Sequence, residues 1–170
     1  MDSTLALLKA ERDITRVIMT YSRAADRYDV ELMRECYWPD ATDHHGSFVG
    51  GRDDFIDFVG DSLKRFERTN HFLGNVLIDV DLDAGTARSE TYCVAYHRYT
   101  DAENQLTDMT AGLRYVDSFE RRGDEWRIQR RVVAYEWRRT DPAHGSTGFA
   151  DAYITGVRSA ADVVYGEVPS

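Results

Sequence analysis

The chain has 170 residues, 42% of them apolar and 30% charged, with a formal net charge of −9. That length closes one apolar core of ordinary domain size, and the composition is that of a globular protein with no long disorder. The acidic balance excludes the clustered Lys/Arg footprint of a nucleic-acid binder; the one basic run, 127–131 with Arg138 and Arg139, falls in a strand-like segment.

Taken in chain order, the pattern begins with a helix over residues 5–28, whose apolar positions Ile14, Val17, Ile18, Tyr21, Ala24, Ala25 and Tyr28 fall on one face. Asp29 reads as the cap of a second, short helix carrying Leu32, Met33 and Cys36, with Pro39 as its stop. Residues 41–47 are polar, with a short strand before Gly46. Gly50 and Gly51 open a third helix over 52–68, with Phe55, Phe58, Val59, Leu63 and Phe66 on its apolar side. After Thr69 the period changes from 3.6 to 2. Four long strands are expected over 71–83, 86–100, 107–121 and 125–139, joined by short polar turns suited to antiparallel hairpins.

Helices gathered first and strands last define an α+β architecture, with three N-terminal helices packed on a curved, mostly antiparallel sheet. Such a sheet, covered on one face, makes a cone whose open end is an apolar pocket of the kind that holds small molecules. Residues 1–141 form the domain; residues 142–170, Gly-rich and weakly patterned, form a tail packing on the domain or on a neighbouring subunit.

Cys36 and Cys93 make neither a disulfide scaffold nor a metal-ligand spacing. The N-terminus lacks the basic flank and apolar stretch of a signal peptide, and no apolar run approaches the length of a membrane span. A reducing, cytoplasmic setting without membrane contact is therefore expected. His44 and His45, with Asp43, His71 and His97, invite a metal reading. Neighbours on a strand face opposite ways, so His44 and His45 do not converge on one ion, and no metal site is expected.

Four stretches carry a resemblance: Tyr21-Ser22-Arg23-Ala24-Ala25-Asp26 with Asp29; the segment from Cys36 through Trp38, Asp40, Asp43, His44 and His45 to Gly46; Asn70-His71-Phe72-Leu73-Gly74-Asn75; and the pair Arg114–Arg121 region with Glu125-Trp126-Arg127. Together they resemble the SnoaL-like branch of the nuclear transport factor 2-like superfamily, over about residues 8–141. The functional likeness is to its scytalone dehydratase, bile acid 7α-dehydratase and hexachlorocyclohexane dehydrochlorinase members. The resemblance implies a His–Asp pair for base-assisted elimination, with His71 as base and Asp26 as its orienting partner. Tyr21, five residues before Asp26, and Arg131, five after Trp126, match groups acting at the leaving or carbonyl oxygen.

His97, 26 residues after His71, with Phe72, Val94 and Tyr115, would line the substrate site. On an ideal helix Asp26 stands off the face centred on Ile14, Ile18 and Tyr21, so a pocket-bordering face or helix curvature is required to bring it in. Tyr21 lies on the apolar face and is equally a core residue, and Arg131 beside Arg130 is equally a surface or interface residue. No cofactor is needed for the chemistry. The expectation is a cofactor-free lyase acting on a small hydrophobic cyclic or steroid-like molecule, in a homodimer or homotrimer associating through the sheet. The alternatives are an isomerase with the same acid–base residues, a non-catalytic small-ligand binder, and a ring-hydroxylating dioxygenase small subunit.

Overall fold

In the computed structural model, which describes residues 3–143, 150 and 152–167, three helices pack on one six-stranded sheet. Helix α1 (Ser3–Arg27) buries Ala10, Ile14, Ile18, Tyr21, Ala24 and Ala25, the stripe its 3.6-residue period predicts. It ends where Tyr28 takes a left-handed conformation (φ 55°) and the Asp29 amide donates to the Ala24 carbonyl. Asp29 then caps α2 (Val30–Glu35), its carboxylate accepting from the Leu32 amide at 3.1 Å.

Contrary to the expectation from the sequence, Pro39 does not stop this helix. The helix is finished by Glu35, and Pro39 is an exposed residue within strand β1 (Tyr37–His45). Strand β2 (Phe48–Gly51) pairs back on β1 and leads into α3 (Arg52–Lys64). That helix is one turn shorter than its apolar pattern implies. Phe66, read as helical, opens strand β3 (Phe66–Asp81), which therefore begins five residues before His71.

Strands β4 (Thr86–Thr100), β5 (Leu106–Arg122) and β6 (Glu125–Pro142) complete the sheet in the order β2-β1-β6-β5-β4-β3. Every neighbouring pair is antiparallel except β1 with β6. Register shifts interrupt β3 against β4 and β5 against β6; bulges of this kind bend a sheet and reverse which face a residue occupies. On the outer face Trp137 lies over Gly112, so close that a Cβ there would meet its indole nitrogen at 2.3 Å. Both cysteines are buried and unpaired.

Residues 150 and 152–167 run over the end of α1 and the start of β3. Arg158 donates to the carbonyls of Leu63, Phe66 and Ala25, Asp162 lies 3.5 Å from Arg27, and the Tyr165 hydroxyl donates to Asp29 at 3.1 Å. This part of the C-terminal segment covers its own domain. Among the described residues no helix is long and apolar enough to cross a membrane.

Candidate active site

A cavity of about 560 Å³ opens between the helices and the concave face of the sheet. Its walls carry apolar groups (Val59, Leu63, Met109, Leu113), the rings of Tyr21, Tyr115, Tyr135, His45, His71 and His97, and the polar side chains of Ser47, Ser62, Arg65 and Arg138.

His71 is positioned from two sides. Its backbone amide donates to Asp26 Oδ2 at 3.0 Å, and its Nδ1 lies 2.8 Å from Asp26 Oδ1. Burial raises the Asp26 carboxyl, but the His71 ring and amide outweigh it and hold the group below the ordinary carboxylate range. An ionised Asp26 accepts, so His71 Nδ1 carries the proton, and in the neutral ring Nε2 holds the lone pair. Both side chains are about nine-tenths shielded. Asp26 reaches this position because the last turn of α1 is covered on a second side. There Ser22, Ala25 and Asp26 are all buried, as β3 and the Arg158 segment flank the helix stripe.

The His97 ring stands perpendicular to that of His71, centroids 5.3 Å apart, and lies 4.6 Å from Phe66. Burial, with the neighbouring His71, pushes His97 down to about 3. It is therefore neutral at ordinary pH and sets no charge beside the His71 ring. The sign of the consequence follows. Below about 6.5 an unfolded chain protonates this histidine and the folded chain does not, so stability is full above that pH and falls as pH drops toward 3. Asp26, with its lowered carboxyl, adds a loss in the same direction at more acid pH. Urea unfolding at pH 7.5 and 5.0 is expected to show a decline of up to about 1.4 kcal/mol per pH unit from His97, absent in His97→Phe. An equally steep decline in the variant would refute the assignment.

Tyr21 and Tyr115 line the cavity from the helix and from β5. Burial pushes both phenols above their ordinary range, against the opposing pull of Arg131, so both remain protonated and able to donate. Arg131 itself does not reach the cavity. It is fully buried, its Nε and Nη2 each 2.7 Å from the Asp117 carboxylate. The Tyr21 and Tyr115 rings cover it, with centroids 4.1 and 4.2 Å from its guanidinium carbon. The expectation that Arg131 touches a leaving group is thus corrected: it lies behind the two phenols. Burial alone would lower Arg131, but the Asp117 charge dominates and keeps it well above its ordinary range.

Phe72 and Val94 are also corrected. They are register partners on β3 and β4 and stand on the outer face, 69% and 42% exposed, because their inward neighbours are His71, Leu73, Cys93 and Ala95. Residues the sequence reading left out are Leu113 and Met109 on β5; their period-2 spacing from Tyr115 on the same strand was the available signal. His45, weighed only as a metal ligand, faces the cavity while His44 is exposed. Among the described residues no three His, Cys, Asp or Glu side chains are arranged to hold a metal ion.

Comparison with known proteins places this fold. Residues 6–132 match the SnoaL-like domain family, and the chain belongs to it. The uncharacterized protein Rv2910c of Mycobacterium tuberculosis is 30% identical over 132 residues, which is 76% of this chain and 87% of that protein. Among solved structures, a provisionally assigned scytalone dehydratase of Novosphingobium aromaticivorans superposes with a TM-score of 0.71 at 22% identity, covering 88% of this chain and 98% of that one. Hexachlorocyclohexane dehydrochlorinase LinA-type3 of Novosphingobium barchaimii gives 0.71 at 17% identity, covering 87% and 99%. The fold is thus the cone shared by these proteins, three helices on a curved, mostly antiparallel sheet.

Proposed function

We propose that the protein is a cofactor-free lyase that removes water or HX from a small, apolar, cyclic molecule. The observation that carries this reading is the Asp26–His71 pair, held by two contacts of 2.8 and 3.0 Å at the wall of an apolar cavity. His71 Nε2 takes a proton from carbon, the C–H electrons form the new double bond, and the leaving group departs with its own pair. Asp26 fixes the tautomer and offsets the charge of the imidazolium. Tyr21 and Tyr115 donate hydrogen bonds to a carbonyl or departing oxygen, and Arg131 behind them keeps those phenols polarised. The two enzyme types named for the structural neighbours above, a dehydratase and a dehydrochlorinase, are both eliminating enzymes, which favours this reading.

The test is incubation with a panel of cyclic β-hydroxy ketones and chlorinated cyclohexanes in D2O. Enone absorbance and chloride release report elimination, and NMR reports exchange at carbon. Exchange with migration of a double bond and no elimination would instead make the protein an isomerase. Binding with neither would make it a ligand carrier.

The outer sheet face carries Phe72, Leu77, Tyr92, Val94 and Trp137, all well exposed. Such a patch on one face is the feature of an association surface, and self-association through it is the assembly this reading assumes. Sedimentation is expected to give more than the 19.5 kDa of one chain, and Phe72→Asp with Val94→Asp to return it to that mass. A wild-type monomer would remove this part of the proposal.

A further inference from the structure

The cavity has a second histidine–carboxylate pair that the elimination does not use. On β1, Ala41, Asp43 and His45 alternate inward, and Asp43 is almost completely buried. One Asp43 oxygen, Oδ2, accepts from the Tyr37 hydroxyl at 2.7 Å. The other, Oδ1, faces His45 Nδ1 at 3.6 Å, and neither of these two atoms has a hydrogen-bond partner among the described residues. The separation lies just beyond hydrogen-bond reach, so a small turn of the ring closes it. The ring is supported by stacking on Phe55 at 5.3 Å and by the edge of Tyr135 at 6.5 Å.

Its position is set by topology. β1 and β3 are separated in the sheet by β6, β5 and β4, four ladder steps of ~4.8 Å each. His45 on β1 and His71 on β3 nevertheless line one cavity, so they stand on opposite walls of it. The same cavity is lined by the apolar Leu63, Met109, Ala111 and Leu113, and also by Tyr21, Tyr115, Tyr135, His97, Arg65 and Arg138. With Nδ1 turned to Asp43 as a donor, Nε2 is the ring nitrogen left to a ligand, and in the neutral ring it accepts.

We infer that His45, oriented by Asp43, is a substrate-binding residue that accepts a hydrogen bond from a hydroxyl at the end of the substrate remote from His71. This rests on the lyase reading for the placement of the reacting end, and it narrows the substrate class to apolar ring systems bearing a hydroxyl, phenolic or alcoholic, across the ring from the carbon that loses its proton. Asp43 is a positioning residue.

The test uses 2-tetralone and 6-hydroxy-2-tetralone, which differ only in the remote hydroxyl, with binding followed by calorimetry. Wild-type protein is expected to bind the hydroxylated probe about tenfold more tightly, the effect of one hydrogen bond. His45→Phe, which keeps the stack on Phe55, is expected to bring the two affinities within about twofold by weakening only the hydroxylated probe. His45→Gln, whose amide oxygen can still accept, is expected to keep part of the preference. Asp43→Asn is expected to reduce the ratio at unchanged affinity for 2-tetralone, a result that a merely structural role does not give. No preference in the wild type, binding of neither probe, or a preference that survives undiminished in His45→Phe would overturn the inference. Deuterium exchange at the tetralone α-carbon, read in parallel, reports His71 chemistry separately: its absence counts against the lyase reading, while the affinity ratio decides the role of His45.

Discussion

Replacing His71 by Asn, or Asp26 by Asn, is expected to lower elimination and α-carbon exchange by ~10²–10⁴-fold, with the fold retained. The two substitutions act for different reasons. On the lyase reading His71→Asn removes the lone pair that takes the proton, and His97, the imidazole standing against it, is too weak a base to replace it, because burial strongly disfavours its protonated form. Asp26→Asn leaves the base in place but removes the charge that holds Nδ1 as the donor. An amide can present its N–H to the ring and turn the wrong nitrogen toward the substrate. The remaining carboxamide oxygen can still accept from the His71 backbone amide, so the start of β3 stays docked on α1. Steady-state rates on whichever probe the wild type turns over, with circular dichroism as the control for folding, would measure this. A folded Asp26→Asn protein with wild-type turnover would remove the pair from the mechanism.

The second large effect is on stability. Arg131→Met is expected to destabilise the protein by about 3–5 kcal/mol, because it leaves the Asp117 carboxylate unpaired in the core. Both side chains are fully shielded, and their two parallel bonds of 2.7 Å are what makes the charges tolerable there. The loss is a loss of partner rather than of charge: the double variant Arg131→Met with Asp117→Leu is expected to recover most of it. Urea midpoints of the wild type, the single variant and the double variant give the comparison. A single variant within 1 kcal/mol of wild type would mean that water reaches Asp117.

The difference between these two sites shows where local pattern sufficed. Helix α1, the Asp29 cap and the four long hairpin strands follow from short-range periodicity, and each formed at the expected place to within a turn or a few residues. The pairing of Asp26 with His71 was suggested by matching motifs, since 45 residues separate them and α1's own period turns Asp26 away from the buried stripe. Arg131 shows the opposite case. Trp126 and Arg131 are an odd number apart and would lie on opposite faces of a regular strand. The register shift between Ile128 and Arg130 inserts one residue, and both point inward. Phe72 and Val94 failed for a related reason: adjacency to His71 in sequence means the opposite face in a strand.

By itself, then, the sequence determined the class of fold and the order of its elements and singled out His71 as the candidate base, because hydrophobic period, turn residues and the family motifs all act over short spans. The tertiary structure alone decided which polar residues share the cavity. Sheet curvature brought β1 and β3 to facing walls, a bulge turned Arg131 inward behind two tyrosines, and a covering strand and C-terminal segment buried the last turn of α1. Each of these depends on contacts between residues far apart in the chain, where a one-residue shift exchanges the cavity for solvent.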